Sequence, residues 1–467
     1  MTNLKEKAFW ISFGDIAGRG LSFITSIYLA RVLGAEFYGL ITVAISILGY
    51  ATWFSDLGLH QIGTRETAKQ PSKRIFRVLE VFRLRLFLGI IVLIISTMVI
   101  SMIDMGEIEK QVMLGYLYSL IPYMALMEWF YAGKQEFGKI ALSKVLNGLT
   151  YFILIYFMVD TVEDVTMVPV LYTVGIVTAA LTLGTFALKD KPFSLPSRGF
   201  QIYPDLLKTS SILGLGQFFA QVVSLLPPLL VGALMSLRDA GIYGAAFKIV
   251  LIAMMVDRVF VNLLLPNLSS KWSQNRSAAV SKVKLIYGIL TVGGALIGMA
   301  TAIGAEQIIF LLFGDNYAES VVVLQILSVM ISVTFINSLF SFGLIATNKD
   351  KEFFIATCFG GTVSALIIFG IAAFGDLVMV TISVVFAEII ITFFTYFWFR
   401  KVIPSNYVKP ILISYPLAII LFLLFSLSPL MPLINALIAS IIFILVIVKT
   451  GVLDRQHMLW IKSKLST

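Results

Sequence analysis

Three things are scarce in this sequence: cysteine, histidine and charge. One cysteine, Cys358, excludes an intramolecular disulfide. Two histidines, His60 and His457, lie far apart and belong to no ligand-spaced cluster, so no metal site and no cofactor are expected. Charged residues are 13% of the chain and apolar residues 59%. A soluble domain is nearer a quarter charged, so water is not the solvent for most of this chain. No loop is long enough to hold a folded extracellular domain. The short loops show no nucleophile–base or paired-carboxylate arrangement, so an enzyme is not expected. No continuous basic face with interleaved aromatics is present, which argues against nucleic acid as a partner. No cleavable signal peptide is evident, because the first apolar segment is long, carries charge and lacks a small-residue cleavage site.

What the sequence does have is long apolar runs. Fourteen can be cut out, at 8–30, 38–58, 84–103, 112–132, 140–159, 165–187, 209–234, 240–265, 285–305, 320–346, 353–374, 377–399, 411–428 and 432–449. Most approach the ~20 residues that span a bilayer as a helix. The last two require a tight turn at Ser428-Pro429-Leu430-Met431-Pro432. Cations fall in every second connection. If the N-terminus is assigned to one side, 29 of the 35 Lys and Arg lie on that side. Only Arg31, Lys110 and Arg238 lie opposite, and Arg19, Lys248 and Arg258 sit inside apolar segments. Cations are retained in the cytoplasm. Both termini are therefore expected there, on a multi-pass membrane protein. The net charge of +9 concentrates in the inner loops, where anionic lipid headgroups are the natural partners. The outer loops are short and acidic, with Asp104, Glu107 and Glu109 in one, Asp160, Glu163 and Asp164 in another, and Asp315 and Glu319 in a third.

The expected fold is an all-α, polytopic transmembrane bundle of about 14 helices. The stretch 188–208, with Pro192, Pro196, Gly199 and Pro204, reads as a linker. It divides the chain into an N-lobe (1–208, helices one to six), a C-lobe (209–400, helices seven to twelve) and a final helix pair with a cytoplasmic tail (401–467). The first two helices join through Arg31 to Gly39, closed by Tyr38-Gly39. The seventh and eighth join through Leu234 to Gly244, closed by Tyr243-Gly244. Six helices per lobe in the same sense imply parallel repeats, although a Tyr-Gly pair after a short loop also arises by chance.

Charges within the apolar segments are the candidate site. Arg19 lies about eleven residues into the first helix, so ~16 Å deep. Asp15, four residues earlier, shares its face and can hold its guanidinium. The alternative is a closed ion pair that locks the first helix to its neighbours. The eighth helix carries Lys248, Asp257, Arg258 and Asn262. Arg258 and Asn262 share one face while Asp257 turns toward a neighbouring helix. Arg258 could equally snorkel to the cytoplasmic interface. Gln217 and Gln221 form a polar stripe on the seventh helix, ahead of Pro227-Pro228. Glu128 and Glu388 are lone acids that either carry a coupling proton or pair with a buried cation; Asp15 is a third coupling candidate. Cations on the first and eighth helices suit an anionic ligand, and pyrophosphate fits Arg and Lys. Phe393 to Lys401 reads as an aromatic belt with a basic flank, an anchor.

Phe13-Gly14-Asp15-Ile16-Ala17-Gly18-Arg19, Leu29-Ala30-Arg31-Val32-Leu33-Gly34, Phe37-Tyr38-Gly39, Asp56-Leu57-Gly58-Leu59 and Gly63-Thr64-Arg65-Glu66 carry a resemblance. So do Gly241-Ile242-Tyr243-Gly244 and Leu311-Leu312-Phe313-Gly314 with Tyr317. Together they resemble the polysaccharide-transport branch of the MOP exporter superfamily, which includes the Wzx O-antigen flippases, over essentially the whole chain. The resemblance implies two six-helix lobes around a central cavity, with two further helices. It also implies flipping of an undecaprenyl-pyrophosphate-linked oligosaccharide, with cavity cations engaging the pyrophosphate. The matching positions are Arg19 and Arg31, which sit inside the motifs, and Lys248 and Arg258, which rest on their placement in the eighth helix. Expected partners are the lipid-linked oligosaccharide, membrane lipids and polysaccharide-assembly proteins, for a chain that works as a monomer. The rivals are a cation-coupled multidrug exporter, which predicts an anionic or aromatic cavity, and a lipid II flippase, which differs only in substrate.

Overall fold

The computed structural model describes residues 4–68, 71–190, 204–257, 272, 276–347, 349–404 and 408–453. Its described residues are helical with short connections and no strand. Helix α1 (Leu4–Asp56) runs through two apolar segments and is bent at Gly34. Gly34 has φ 71° and ψ 176°, a backbone that only glycine takes without a Cβ penalty. The sequence predicts an outer loop over residues 31–39; a one-residue bend replaces it. The first unit continues with α2 (Leu59–Ala68), α3 (Pro71–Met102), α4 (Glu107–Tyr118), α5 (Leu120–Met124), α6 (Glu128–Gly133), α7 (Phe137–Met158), α8 (Val168–Asp190) and α9 (Pro204–Leu234). Then follow α10 (Leu237–Ala253), α11 (Arg276–Leu312), α12 (Ser320–Ala346), α13 (Asp350–Phe374), α14 (Leu377–Val402), α15 (Val408–Ser426) and α16 (Pro432–Lys449).

Eleven of these segments are long and apolar enough to cross a membrane, one of them being the two-armed α1. Large apolar side chains such as Met102, Leu188, Phe374 and Leu427 stand more than three-quarters exposed. Water would penalise that surface at roughly 25 cal/mol per Å², whereas lipid does not. The chain is a multi-pass membrane protein.

The fourth predicted segment, 112–132, is not one helix. It breaks at Ser119 and again over Ala125 to Met127, giving α4, α5 and α6. Pro122 gives a physical reason for the first break. It has no N–H to bond the carbonyl of Tyr118, and its ring crowds that carbonyl. The second break frees the Leu126 carbonyl, and side chains of α3 and α2 reach the carbonyls around it. Arg85 Nη1 donates to Leu126 O at 3.0 Å, and Thr64 Oγ1 lies 3.2 Å from Trp129 O.

The chain forms two compact units, Met1–Gly241 and Ile242–Thr467. By packing, α9 therefore goes with the first unit, although the sequence divides the lobes at 208. One reason is visible in its contacts: Trp53 Nε1 of α1 donates to Gly214 O at 3.1 Å, and the Gly58 and Gly214 backbones touch. Most of the predicted linker, residues 191–203, lies outside the described residues. In the first unit the core gathers Leu59, Val81, Trp129, Tyr131, Ile176 and Leu183. In the second unit α15 and α16 pack on α11 through Leu421, Ala439, Phe443, Met299 and Ile303. The tight turn between α15 and α16 is closed by Asn435, whose Nδ2 donates to Phe425 O (3.2 Å) and Leu430 O (3.1 Å).

Candidate functional site: a charged pocket in the first unit

The pocket begins with glycine. Gly14 and Gly18 are one turn apart on α1 and face α7. A Cβ on Gly14 would lie 2.7 Å from Ala141 Cα, and one on Gly18 would lie 3.4 Å from Lys144 Cβ. From the other side, a Cβ on Gly148 would lie 3.0 Å from Leu21 Cβ. Small residues at this spacing let two helices in lipid approach backbone to backbone. That approach carries Lys144 onto Asp15, with Nζ 2.8 Å from Oδ1. Glu128, delivered at the N-terminus of α6 by the break before it, lies 3.9 Å from the same ammonium. His60, from α2, completes the polar lining of a cavity of about 180 Å³, walled by Trp10, Ile11, Phe137, Ile140 and Ala141. The Asp15, Lys144 and Glu128 side chains are each about a third exposed or less.

A second ion pair lies nearby in the chain. Arg85 is buried, with Nε 2.8 Å from Asp56 Oδ1. Asp56 Oδ2 also accepts from the His60 backbone N–H at 3.2 Å, which ties the turn Asp56-Leu57-Gly58 to the start of α2. Gly58 makes that turn at φ 83°. Between α6 and α7, Lys134 and Lys139 both reach Glu136, at 2.8 and 2.6 Å. Burial pushes the Glu136 carboxyl up, but hydrogen bonds from these two lysines outweigh it and hold it below the usual carboxylate range.

The expected Asp15–Arg19 pair does not form. Asp15 is taken by Lys144, and Arg19 stands exposed with no hydrogen bond or ion pair among the described residues. Arg31 is exposed three residues before the bend, ~24 Å along α1 from Asp15 at 1.5 Å per residue. It does not join the pocket. Glu128 has found a cation, Lys144, which the charge pattern assigns to an inner loop together with Arg85. Both lie inside apolar helices. Their positions within segments 140–159 and 84–103 are the available sequence signal, strengthened for Lys144 by Ala141 and Gly148 on its face.

In the second unit Lys248 is half-buried on α10 and engaged with neighbours. Asp257 is buried and its Oδ2 accepts from Ser338 of α12, the neighbour-facing orientation expected of it. Arg258 and Asn262 lie outside the described residues. Gln217 is helical with its side chain outside the described set, and Gln221 is exposed. Glu388 is buried without a cation among the described residues. Its Oε1 accepts from Thr334 Oγ1 (2.9 Å) and Asn337 Nδ2 (3.3 Å). Sequence reasoning missed an apolar cavity of about 380 Å³ lined by Tyr287, Ile336, Phe340, Phe393, Tyr396 and Tyr415. Nearby in sequence, Lys401 Nζ lies over Phe397 and Trp398, 4.2 and 4.3 Å from the ring centroids.

Known proteins agree with this architecture. The polysaccharide biosynthesis protein family matches residues 4–272, more than half of the chain. A protein of Escherichia coli strain K12 named "Putative O-antigen transporter" is 21% identical over 407 residues, 84% of this chain and 95% of that protein. Among solved structures, the lipid II flippase MurJ in an inward closed conformation superposes with a TM-score of 0.71. It is 13% identical over 93% of this chain and 97% of its own. An inward-facing multidrug resistance MATE transporter gives 0.66, at 14% identity over 84% and 98%. At such identities the two structures speak for the fold alone. The chain belongs to the polysaccharide biosynthesis protein family.

Proposed function

We propose that the chain flips an undecaprenyl-pyrophosphate-linked oligosaccharide from the cytoplasmic to the periplasmic leaflet of the cytoplasmic membrane. The family and the O-antigen relative support transport of a polysaccharide precursor over covalent chemistry. The observation that carries the substrate's charge is Arg19. A guanidinium inside an apolar helix, exposed and with its neighbouring carboxylate already engaged, is an anion-binding group. Pyrophosphate takes that position, and Lys248 in the second unit is a further candidate cation for the substrate. The chain acts as a monomer with both termini cytoplasmic. Asp15, Glu128 and Glu388 are the acids available for ion coupling.

The test is a flipping assay in proteoliposomes with a polyprenyl-pyrophosphate oligosaccharide, with a proton or sodium gradient imposed. Wild type and Arg400→Ala, an exposed residue on the aromatic belt, should transport; Arg19→Ala should insert but not transport. Arg19→Ala flipping at the wild-type rate would remove Arg19 from the path. Folded wild type that moves no lipid but exports cationic drugs would replace this reading with the multidrug one.

A further inference from the structure

Arg19 and Asp15 lie four residues apart, the spacing at which an aspartate and an arginine attract on a helix. Asp15 is half-buried although Arg19 is exposed, so that attraction exceeds its value in water. A closed Asp15–Arg19 pair would cancel the charge that a pyrophosphate needs. What prevents closure is Lys144, on Asp15 at 2.8 Å. The contact is favoured by the backbone, since Gly14 and Gly18 set a close α1–α7 separation that brings Lys144 beside Asp15. Lys144 is itself flanked by a second carboxylate, Glu128, at 3.9 Å. One ammonium between two carboxylates has no positive charge to spare, so Lys144 is a poor anion ligand in its own right.

We propose that Lys144 is a positioning residue for anion binding: by holding Asp15 it keeps the Arg19 guanidinium uncancelled and open to the substrate's pyrophosphate. The proposal rests on the flippase reading for the identity of the anion. It assigns Lys144 a task that neither lipid contact nor topology requires, and it gives Asp15 a partner other than Arg19. Removing Lys144 releases Asp15 to Arg19, and the site loses its anion affinity although no ligand contact has been deleted.

The experiment measures binding of a short-chain polyprenyl pyrophosphate, and of the matching polyprenol, to the purified full chain in detergent. Wild type must prefer the pyrophosphate; if it does not distinguish the two, the flippase reading itself falls. Where wild type discriminates, Lys144→Met should bind the pyrophosphate at least about tenfold more weakly. Adding Asp15→Asn to Lys144→Met should restore binding to within about threefold of wild type, because the two sites are directly coupled. Adding Glu128→Gln instead gives the same net charge but leaves Asp15 free to close on Arg19, and should not restore it. Wild-type binding by Lys144→Met overturns the proposal. So does a failure of Asp15→Asn to rescue, or equal rescue by Glu128→Gln. Should Lys144→Met alone fail to fold, the Asp15→Asn/Lys144→Met protein decides: wild-type affinity supports the proposal, and a tenfold loss overturns it.

Discussion

At the scale of single residues, the informative feature is which cations lie inside the membrane and what holds them. Arg85 is 3% exposed, in contact with Asp56 and donating to the Leu126 carbonyl freed by the broken fourth segment. Removing one partner of a buried ion pair leaves the other charge uncompensated, at a cost of roughly 3–5 kcal/mol. Arg85→Met should therefore lower the thermal unfolding temperature in detergent strongly, and Arg85→Met/Asp56→Leu should recover much of the loss. An unfolding temperature unchanged in Arg85→Met would show that the pair contributes nothing to stability. The sequence revealed Asp15, Glu128 and Glu388 as acids in apolar segments, because a charge among apolar residues is visible locally. It did not reveal their partners. Lys144 and Asp15 are 129 positions apart, and their meeting depends on two helices crossing at glycine. Charge counting also placed Arg85 and Lys144 in loops, since a cation near the end of an apolar run looks the same whether it points to water or folds inward.

At the scale of elements, the α1–α7 crossing positions the pocket and the broken α4–α6 segment supplies its second acid. Gly14 sits at the tightest point of that crossing, whereas a Cβ on Gly20 of the same helix would meet nothing within 4 Å. Gly14→Val should push the helices apart, separate Lys144 from Asp15, and reduce both unfolding temperature and flipping. Gly20→Ala should leave the unfolding temperature unchanged or raise it by an amount worth up to ~1 kcal/mol, the ordinary helix preference for alanine. Equal behaviour of the two variants in a thermal melt would show that close approach does not hold α1 to α7. Helix positions were legible from hydropathy because lipid requires long apolar runs. The joints were not. A nine-residue loop and a one-residue bend at Gly34 have the same composition, and both Tyr-Gly pairs lie within helices. The interruption after Ser119 had a local signal in Pro122, but the second break, over Ala125 to Met127, carries neither glycine nor proline.

At the scale of the whole molecule, the hydropathy pattern determines more than the residues do. The chain shares its fold with MurJ and a MATE transporter at 13% and 14% identity. Apolar runs and polar joints are sufficient to specify a helical bundle in lipid, whereas the charges inside it are free to differ with substrate. The alternation of cations across successive connections adds orientation to the pattern. It predicts that connections after an odd number of crossings face outward and those after an even number face the cytoplasm. Asp104 and Leu430 follow the third and thirteenth apolar segments; Lys351 and Thr450 follow the tenth and fourteenth. All four are exposed in the structure. Cys358 is the sole cysteine, so a Cys358→Ser background gives a clean labelling host. In it, Asp104→Cys and Leu430→Cys should react with a membrane-impermeant maleimide added to intact cells. Lys351→Cys and Thr450→Cys should react only after permeabilisation. The reverse pattern would invert the protein in the membrane and set the cation count aside as its topological signal. Labelling of Asp104→Cys and Leu430→Cys from opposite sides would break the parity, which requires an even number of crossings between them.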